Sequence, residues 1–141
     1  MRRRSVAFTT EATTIAGRNG HVDTGDGVLS LDLAVPRPDG TPSNPAATNP
    51  EALFAAGYSA CFGQAVLAAA ELEHLKPENV AVTAVVTLQT ENRDFRLSVI
   101  LRTKIDGVDR KAAETLVQRA HELCPYSKAT RNNIPVELEV L

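Results

Sequence analysis

Cysteine is scarce in this chain: Cys61 and Cys124 are the only two in 141 residues. A pair so widely separated matches no metal-binding spacing, and in a reducing compartment two cysteines are seldom a structural staple. A structural thiol and a redox pair both remain open. Excess charge is also missing, with a formal net charge of -2 from 15 Lys and Arg against 17 Asp and Glu. Without a long basic run, neither nucleic acid nor an anionic membrane surface is expected as a partner. The initial MRRR is the only basic cluster. SVAFTTEATT follows it where an export signal would carry an apolar core and a small-residue cleavage site, so a cytoplasmic protein is expected. There is no zinc motif, Gly-rich phosphate loop, internal repeat or low-complexity segment. What is present, 43% hydrophobic and 23% charged residues, fits one globular domain over 1–141.

Along the chain, 5–15 and 28–35 alternate as strands, and GRNGHVDTGDG between them reads as a turn or a short strand. PRPDGTPSNPAATNP, residues 36–50, carries too much proline for regular structure. At TNPE, Thr48 or Asn49 can cap a helix, Pro50 suits its first turn, and Glu51 stands where a capping box places its carboxylate. That helix is expected to run to about Leu75, ended by Lys76 and Pro77. VAVTAVVTLQT and FRLSVILRTKI alternate as two long strands, 79–91 and 95–105, turned at 92–94. Asp109 caps a second helix through Cys124 that Pro125 stops, and PVELEVL closes as a strand. The order ββ(β)αββαβ predicts an α+β fold, helices lying on antiparallel sheet.

The segment from Ala52 to Ala70 is apolar around nearly its whole circumference, which marks a buried helix. Its length would admit a membrane span. Its Ala and Gly content and Gln64 argue for a soluble core instead. One sheet of six or so strands covers only one side of such a helix, so a second copy is expected to cover the other, giving a homodimer with the long helices between two sheets.

A thiol inside a helix gains nothing from the helix N-terminus, and apolar surroundings raise its pKa, so Cys61 alone would be inert. It is either a small hydrophobe of the core or a nucleophile that needs a cation. Cys124 ends a helix beside Pro125, where the dipole disfavours a thiolate; a second, accessible thiol is the better reading. Arg18, in the turn GRNG, could aim a guanidinium inward or simply be solvated. Glu51 could be only the capping carboxylate. His121, three residues before Cys124, reads as a surface histidine, and His21 and His74 point to nothing specific.

NPEALFAAGYSACF and HELCPYSKATRNNIPVELEV, with the GRNG turn and the TNPE entry, resemble the organic hydroperoxide resistance (Ohr) branch of the OsmC/Ohr family of thiol peroxidases. The similarity spans essentially the whole chain. Where that branch commonly has CPYSNATRGNI, Lys128 and Asn132 replace Asn and Gly. The resemblance implies an OsmC-like fold, antiparallel sheets wrapped around a long central helix in an intertwined homodimer. It implies that Cys61 is peroxidatic and Cys124 resolving, with Arg18 and Glu51 completing the site. Arg18 would stabilise a Cys61 thiolate and Glu51 would hold the guanidinium. The thiolate would attack an organic hydroperoxide, leave a sulfenic acid, and close an intramolecular disulfide with Cys124. No cofactor is expected to be bound. The implied reductant is a dithiol, the dihydrolipoyl group of a lipoylated protein.

Two other readings stay open: an OsmC-type peroxidase of broader peroxide preference, and a non-redox module that binds a hydrophobic ligand. A geometric expectation also follows. Glu51 and Cys61 on one unbroken helix would stand about 15 Å apart along its axis. Either the helix kinks at Gly57 or Glu51 serves the Cys61 of a partner subunit, and the second is expected.

Overall fold

The computed structural model describes residues 5–141, so the initial MRRR lies outside the described residues. The chain divides into two compact units, Met1–Pro50 and Glu51–Leu141.

The first unit holds a three-stranded antiparallel sheet of β1 (Thr13–Ile15), β2 (His21–Asp23) and β3 (Ser30–Asp32). These strands are shorter than the alternation at 5–15 and 28–35 predicts: each ladder on β2 spans three residues, and past β3 the chain continues only as a single bridge from Leu33 to Thr48. Residues 5–12 form no regular structure. Between β1 and β2 the chain makes a 3-10 turn over Gly17–Asn19. Only glycine fits at its end, since a Cβ on Gly20 would overlap the Ile15 carbonyl oxygen. The Gly20 carbonyl accepts from Leu33 N–H at 2.8 Å and Asn19 Oδ1 accepts from Val35 N–H at 3.1 Å, so the turn is tied on both sides.

The second unit carries α1 (Pro50–Leu72, whose first residue closes the first unit), β4 (Asn79–Glu91), β5 (Asp94–Asp106), α2 (Arg110–Leu123), α3 (Pro125–Thr130) and β6 (Val136–Val140). The β4–β5 hairpin turns on Asn92 and Arg93, both at positive φ (50° and 64°), the conformation of a two-residue primed turn. Asp109 caps α2 as expected, its Oδ1 accepting from Ala112 N–H at 2.8 Å. The long helix ends earlier than expected. His74 takes a left-handed φ of 56° and Leu75 N–H returns to the Ala70 carbonyl at 2.8 Å, a Schellman closure.

Three expectations need correction. Among the described residues there are two three-stranded sheets and not one of six. The second sheet is mixed, because β6 runs parallel to β5 while β4 runs antiparallel to it. A parallel neighbour needs a crossover, and α2 with α3 supplies it. Pro125 does not simply stop the second helix: it opens a further one, α3.

The core of this unit joins Tyr58, Phe62, Ala65, Val66, Ala69 and Ala70 of α1 to Val99, Leu101 and Ile105 of β5 and to Ala113, Leu116, Val117 and Ala120 of α2. Sheet and helices thus pack on one side of α1. The helix is long and apolar enough to cross a membrane by length and composition, but its packed side chains are those of a globular core. It is not buried all round within one chain, with Leu67 46% and Leu72 56% exposed.

Candidate active site

Two cysteines 63 positions apart in sequence meet here. Cys124 Sγ donates to Cys61 Sγ at 3.3 Å, and both thiols are free. They must approach by about 1.2 Å to reach the ~2.05 Å of a disulfide bond. α1 carries Cys61, and the junction of α2 with α3 carries Cys124, which caps the end of one helix and the start of the next. Their exposure reverses the sequence expectation. Cys124, expected to be accessible, is completely buried in the core, whereas Cys61 is partly exposed. Cys124 belongs to the core cluster formed by α1, β5 and α2, and the chain continues from it directly into α3.

The same helix places a donor on the other thiol. The Tyr126 backbone N–H points at the Cys61 sulfur. Burial pushes the Cys61 thiol up, the Tyr126 amide opposes that shift, and the neighbouring Cys124 adds to it. The net direction is upward, because burial disfavours the charged thiolate more than the Tyr126 amide favours it.

An aromatic wall joins the stretch of α1 before Cys61 to α3. Phe54, Tyr58 and Gly57 lie within two turns before Cys61, and the Tyr126 ring packs over Gly57. A Cβ there would come within 3.0 Å of the Tyr126 hydroxyl. Phe54 stacks on Tyr126 with centroids 6.2 Å apart, and Tyr58 meets both rings edge-on at 5.8 and 5.7 Å.

Beneath the wall runs a chain of polar groups. Tyr58, fully buried, brings its hydroxyl to Ser127 Oγ at 2.8 Å and Thr130 Oγ1 at 3.1 Å. Ser127 Oγ in turn meets His121 Nδ1 at 2.9 Å. His121, read from sequence as a surface residue, is half-buried. Burial first and the Arg131 guanidinium second hold its pKa below the ordinary imidazole value, so the ring is neutral at pH 7. Arg131 Nη2 also donates to the His121 carbonyl. The residues sequence reasoning missed are therefore Tyr58, Tyr126 and Ser127. The signal was Pro125, which favours the first turn of a helix as much as it ends the preceding one.

Asn132 accounts for its own place in the motif. Its φ is 61°, in the left-handed region that glycine adopts freely and that asparagine tolerates better than other side chains. Asn for Gly at this position keeps the turn after α3. Lys128 lies in the last turn of α3.

Of the other expected site residues, Arg18 occupies the tied 3-10 turn of the first unit and Glu51 the first turn of α1. Glu51 and Cys61 lie on one continuous helix that runs through Gly57. Ten residues of such a helix rise about 15 Å. Among the described residues no group of three or more His, Cys, Asp or Glu could hold a metal ion.

Fold and site define a two-cysteine redox protein on an α+β scaffold. The OsmC-like protein family matches residues 40–139. The chain is 46% identical over 135 residues to the organic hydroperoxide resistance protein OhrA of Bacillus subtilis, covering 94% of this chain and 95% of that one. Among solved structures, an organic hydroperoxide resistance protein from Legionella pneumophila superposes with a TM-score of 0.87 at 47% identity, covering 96% of this chain and 98% of its own. OhrB of Bacillus subtilis does so with 0.86 at 40% identity, covering 95% and 98%. The chain belongs to the OsmC/Ohr family, closely related to the organic hydroperoxide resistance proteins. It is a cysteine-based redox enzyme acting by thiol peroxidase chemistry.

Proposed function

We propose that this enzyme reduces organic hydroperoxides, alkyl and lipid, to alcohols with Cys61 as the peroxidatic and Cys124 as the resolving thiol. The observation that carries the reading is the 3.3 Å approach of the two sulfurs, with an apolar aromatic wall joining α1 to α3. The Cys61 thiolate attacks the outer oxygen of ROOH, the O–O bond breaks, a sulfenic acid is left, and the departing alkoxide takes a proton from solvent to become the alcohol. Cys124 then displaces water from that sulfur to form the disulfide. A dithiol reopens it by exchange, and the dihydrolipoyl group of a lipoylated protein is the reductant we assign. Phe54 and Tyr126, both reached by solvent, favour an alkyl chain over hydrogen peroxide.

Arg18 and Glu51 complete this reading. A thiol raised by burial needs a cation, and Arg18 is the cation that the family resemblance gives it. Glu51 would orient the guanidinium by a charge-assisted pair. The 15 Å rise along α1 supports a Glu51 that serves the Cys61 of a second copy. A homodimer draws further support from the second unit, where Leu67 and Leu72 of α1 stand exposed and the hairpin arm beyond the reach of β6 is two-stranded. An isolated two-stranded arm is marginal in water. We place the enzyme in the cytoplasm, where dithiol reductants operate.

The test is a turnover assay on tert-butyl hydroperoxide and hydrogen peroxide, with dihydrolipoamide compared against thioredoxin and glutathione. Preference for the organic peroxide with dihydrolipoamide is expected. Equal turnover on both peroxides would indicate a broader peroxidase. The absence of any Cys61–Cys124 disulfide after stoichiometric cumene hydroperoxide would leave only a binding module.

A further inference from the structure

Four hydroxyl-bearing and imidazole groups from three helices form one hydrogen-bonded chain, and its direction can be worked out from hydrogen counts. Thr130 Oγ1 donates its single hydrogen to the Ser127 carbonyl at 3.2 Å. It can therefore only accept from Tyr58, whose hydroxyl hydrogen is spent on that bond. Tyr58 Oη must then accept from Ser127 Oγ–H, and Ser127 Oγ must accept from His121 Nδ1. All four bonds exist together in one arrangement only, with His121 protonated at Nδ1. The chain starts at a nitrogen of α2, passes through α3 and α1, and ends on the backbone of α3. Tyr58, Ser127 and Thr130 are all buried, so water cannot substitute for a broken link at low cost.

We propose that this chain, His121–Ser127–Tyr58–Thr130, is the positioning device for the resolving step: it clamps α3 onto α1 so that Cys124 stays against Cys61. The proposal rests on the peroxidatic and resolving roles given above. Cys124 immediately precedes α3, and its carbonyl accepts from Lys128 N–H at 3.0 Å, so the cysteine moves with that helix. A six-residue helix cannot hold itself in place by backbone bonds alone. Its own buried side chains, Ser127 and Thr130, are the ones tied to Tyr58. In the step served, the Cys124 sulfur attacks the Cys61 sulfenic sulfur, the S–S bond forms, the S–O bond breaks, and oxygen leaves as water with the Cys124 proton. No outside oxidant is needed.

Stopped-flow kinetics with one equivalent of cumene hydroperoxide separates the two steps. In Tyr58→Phe and Ser127→Ala, disulfide closure should slow by about tenfold, the rate equivalent of one lost hydrogen bond, and by more than sulfenate formation slows. The sulfenate should accumulate for a dimedone-type probe. Ser127→Thr keeps the hydroxyl and should restore much of the closure rate. Equal slowing of both steps, or unchanged closure in a folded variant, overturns the proposal. If the buried variants do not fold, His121→Ala at the half-exposed end decides: closure slowed there and recovered in His121→Asn supports the clamp, and closure unchanged refutes it. Diamide closes the same disulfide without peroxide chemistry. Slowed diamide closure in these variants keeps the clamp even where the wild-type chain fails to reduce peroxide, so the two readings fail separately.

Discussion

Cys124, wholly buried, points its thiol hydrogen at the partly exposed sulfur of Cys61, 3.3 Å away. In the proposed mechanism the exposed member meets the peroxide and the buried one resolves the sulfenic acid. Cys61→Ser should therefore abolish peroxide reduction. Cys124→Ser should consume about one equivalent and stop with a trapped sulfenic acid, read by mass spectrometry after dimedone labelling. Multiple turnover by Cys61→Ser would sink the assignment.

The pH dependence of Cys61 has a definite sign. Alkylation follows the thiolate, and burial raises this thiol, so the reactivity rise moves to higher pH than for a free cysteine at about 8.5. If Arg18 is the activating cation, wild-type protein titrates lower than Arg18→Ala, and Arg18→Lys falls between them because an ammonium makes no bidentate pair. Iodoacetamide rate against pH, in a Cys124→Ser background, measures this. Coincident profiles for wild type and Arg18→Ala would remove Arg18 from the site.

Gly57 sits under the Tyr126 ring, and two effects compete when it becomes alanine. The helix gains up to about 1 kcal/mol, while the new Cβ presses on the Tyr126 hydroxyl at 3.0 Å. The ring is 39% exposed and can tilt, so the gain wins. Gly57→Ala should raise the melting temperature slightly, and a fall would show the ring to be locked. Tyr126→Ala should remove part of the aromatic wall and narrow the preference for cumene hydroperoxide over hydrogen peroxide; an unchanged ratio would remove the ring from substrate selection.

The proposed sharing of Glu51 across a dimer predicts complementation. Mixed Cys61→Ser and Glu51→Ala chains, each inactive or weak alone, should regain activity in a verified heterodimer, because one of its two sites then has both groups. No recovery would place Glu51 with the Cys61 of its own chain.

Thr103 on β5 is fully buried, and among the described residues its Oγ1 is the buried side-chain oxygen without a hydrogen-bond partner. A buried hydroxyl that makes no bond costs its desolvation. Thr103→Val, of the same shape, should stabilise the chain by about 1 kcal/mol in thermal or denaturant unfolding. A loss of stability would mean that the hydroxyl has an ordered water as its partner.

Periodicity alone makes the long elements legible: the β4–β5 hairpin, the Asp109 cap and the apolar α1 all follow from local pattern. The chain by itself also determined that Cys61 sits in a helix interior without a local cation, since residue spacing alone decides that. It could not decide the fate of Cys124. A proline after a helix is equally a stop and a start, and only the tertiary structure shows that Pro125–Thr130 is a helix tied to Tyr58 and that the second thiol lies in the core. The parallel seat of β6 was likewise hidden, because alternation marks a strand's faces but not its direction beside β5. Tertiary structure alone brought together two sulfurs 63 residues apart. Contacts at that separation are set by the joint burial of α1, α2 and α3, a property of the whole core that no local stretch of residues encodes.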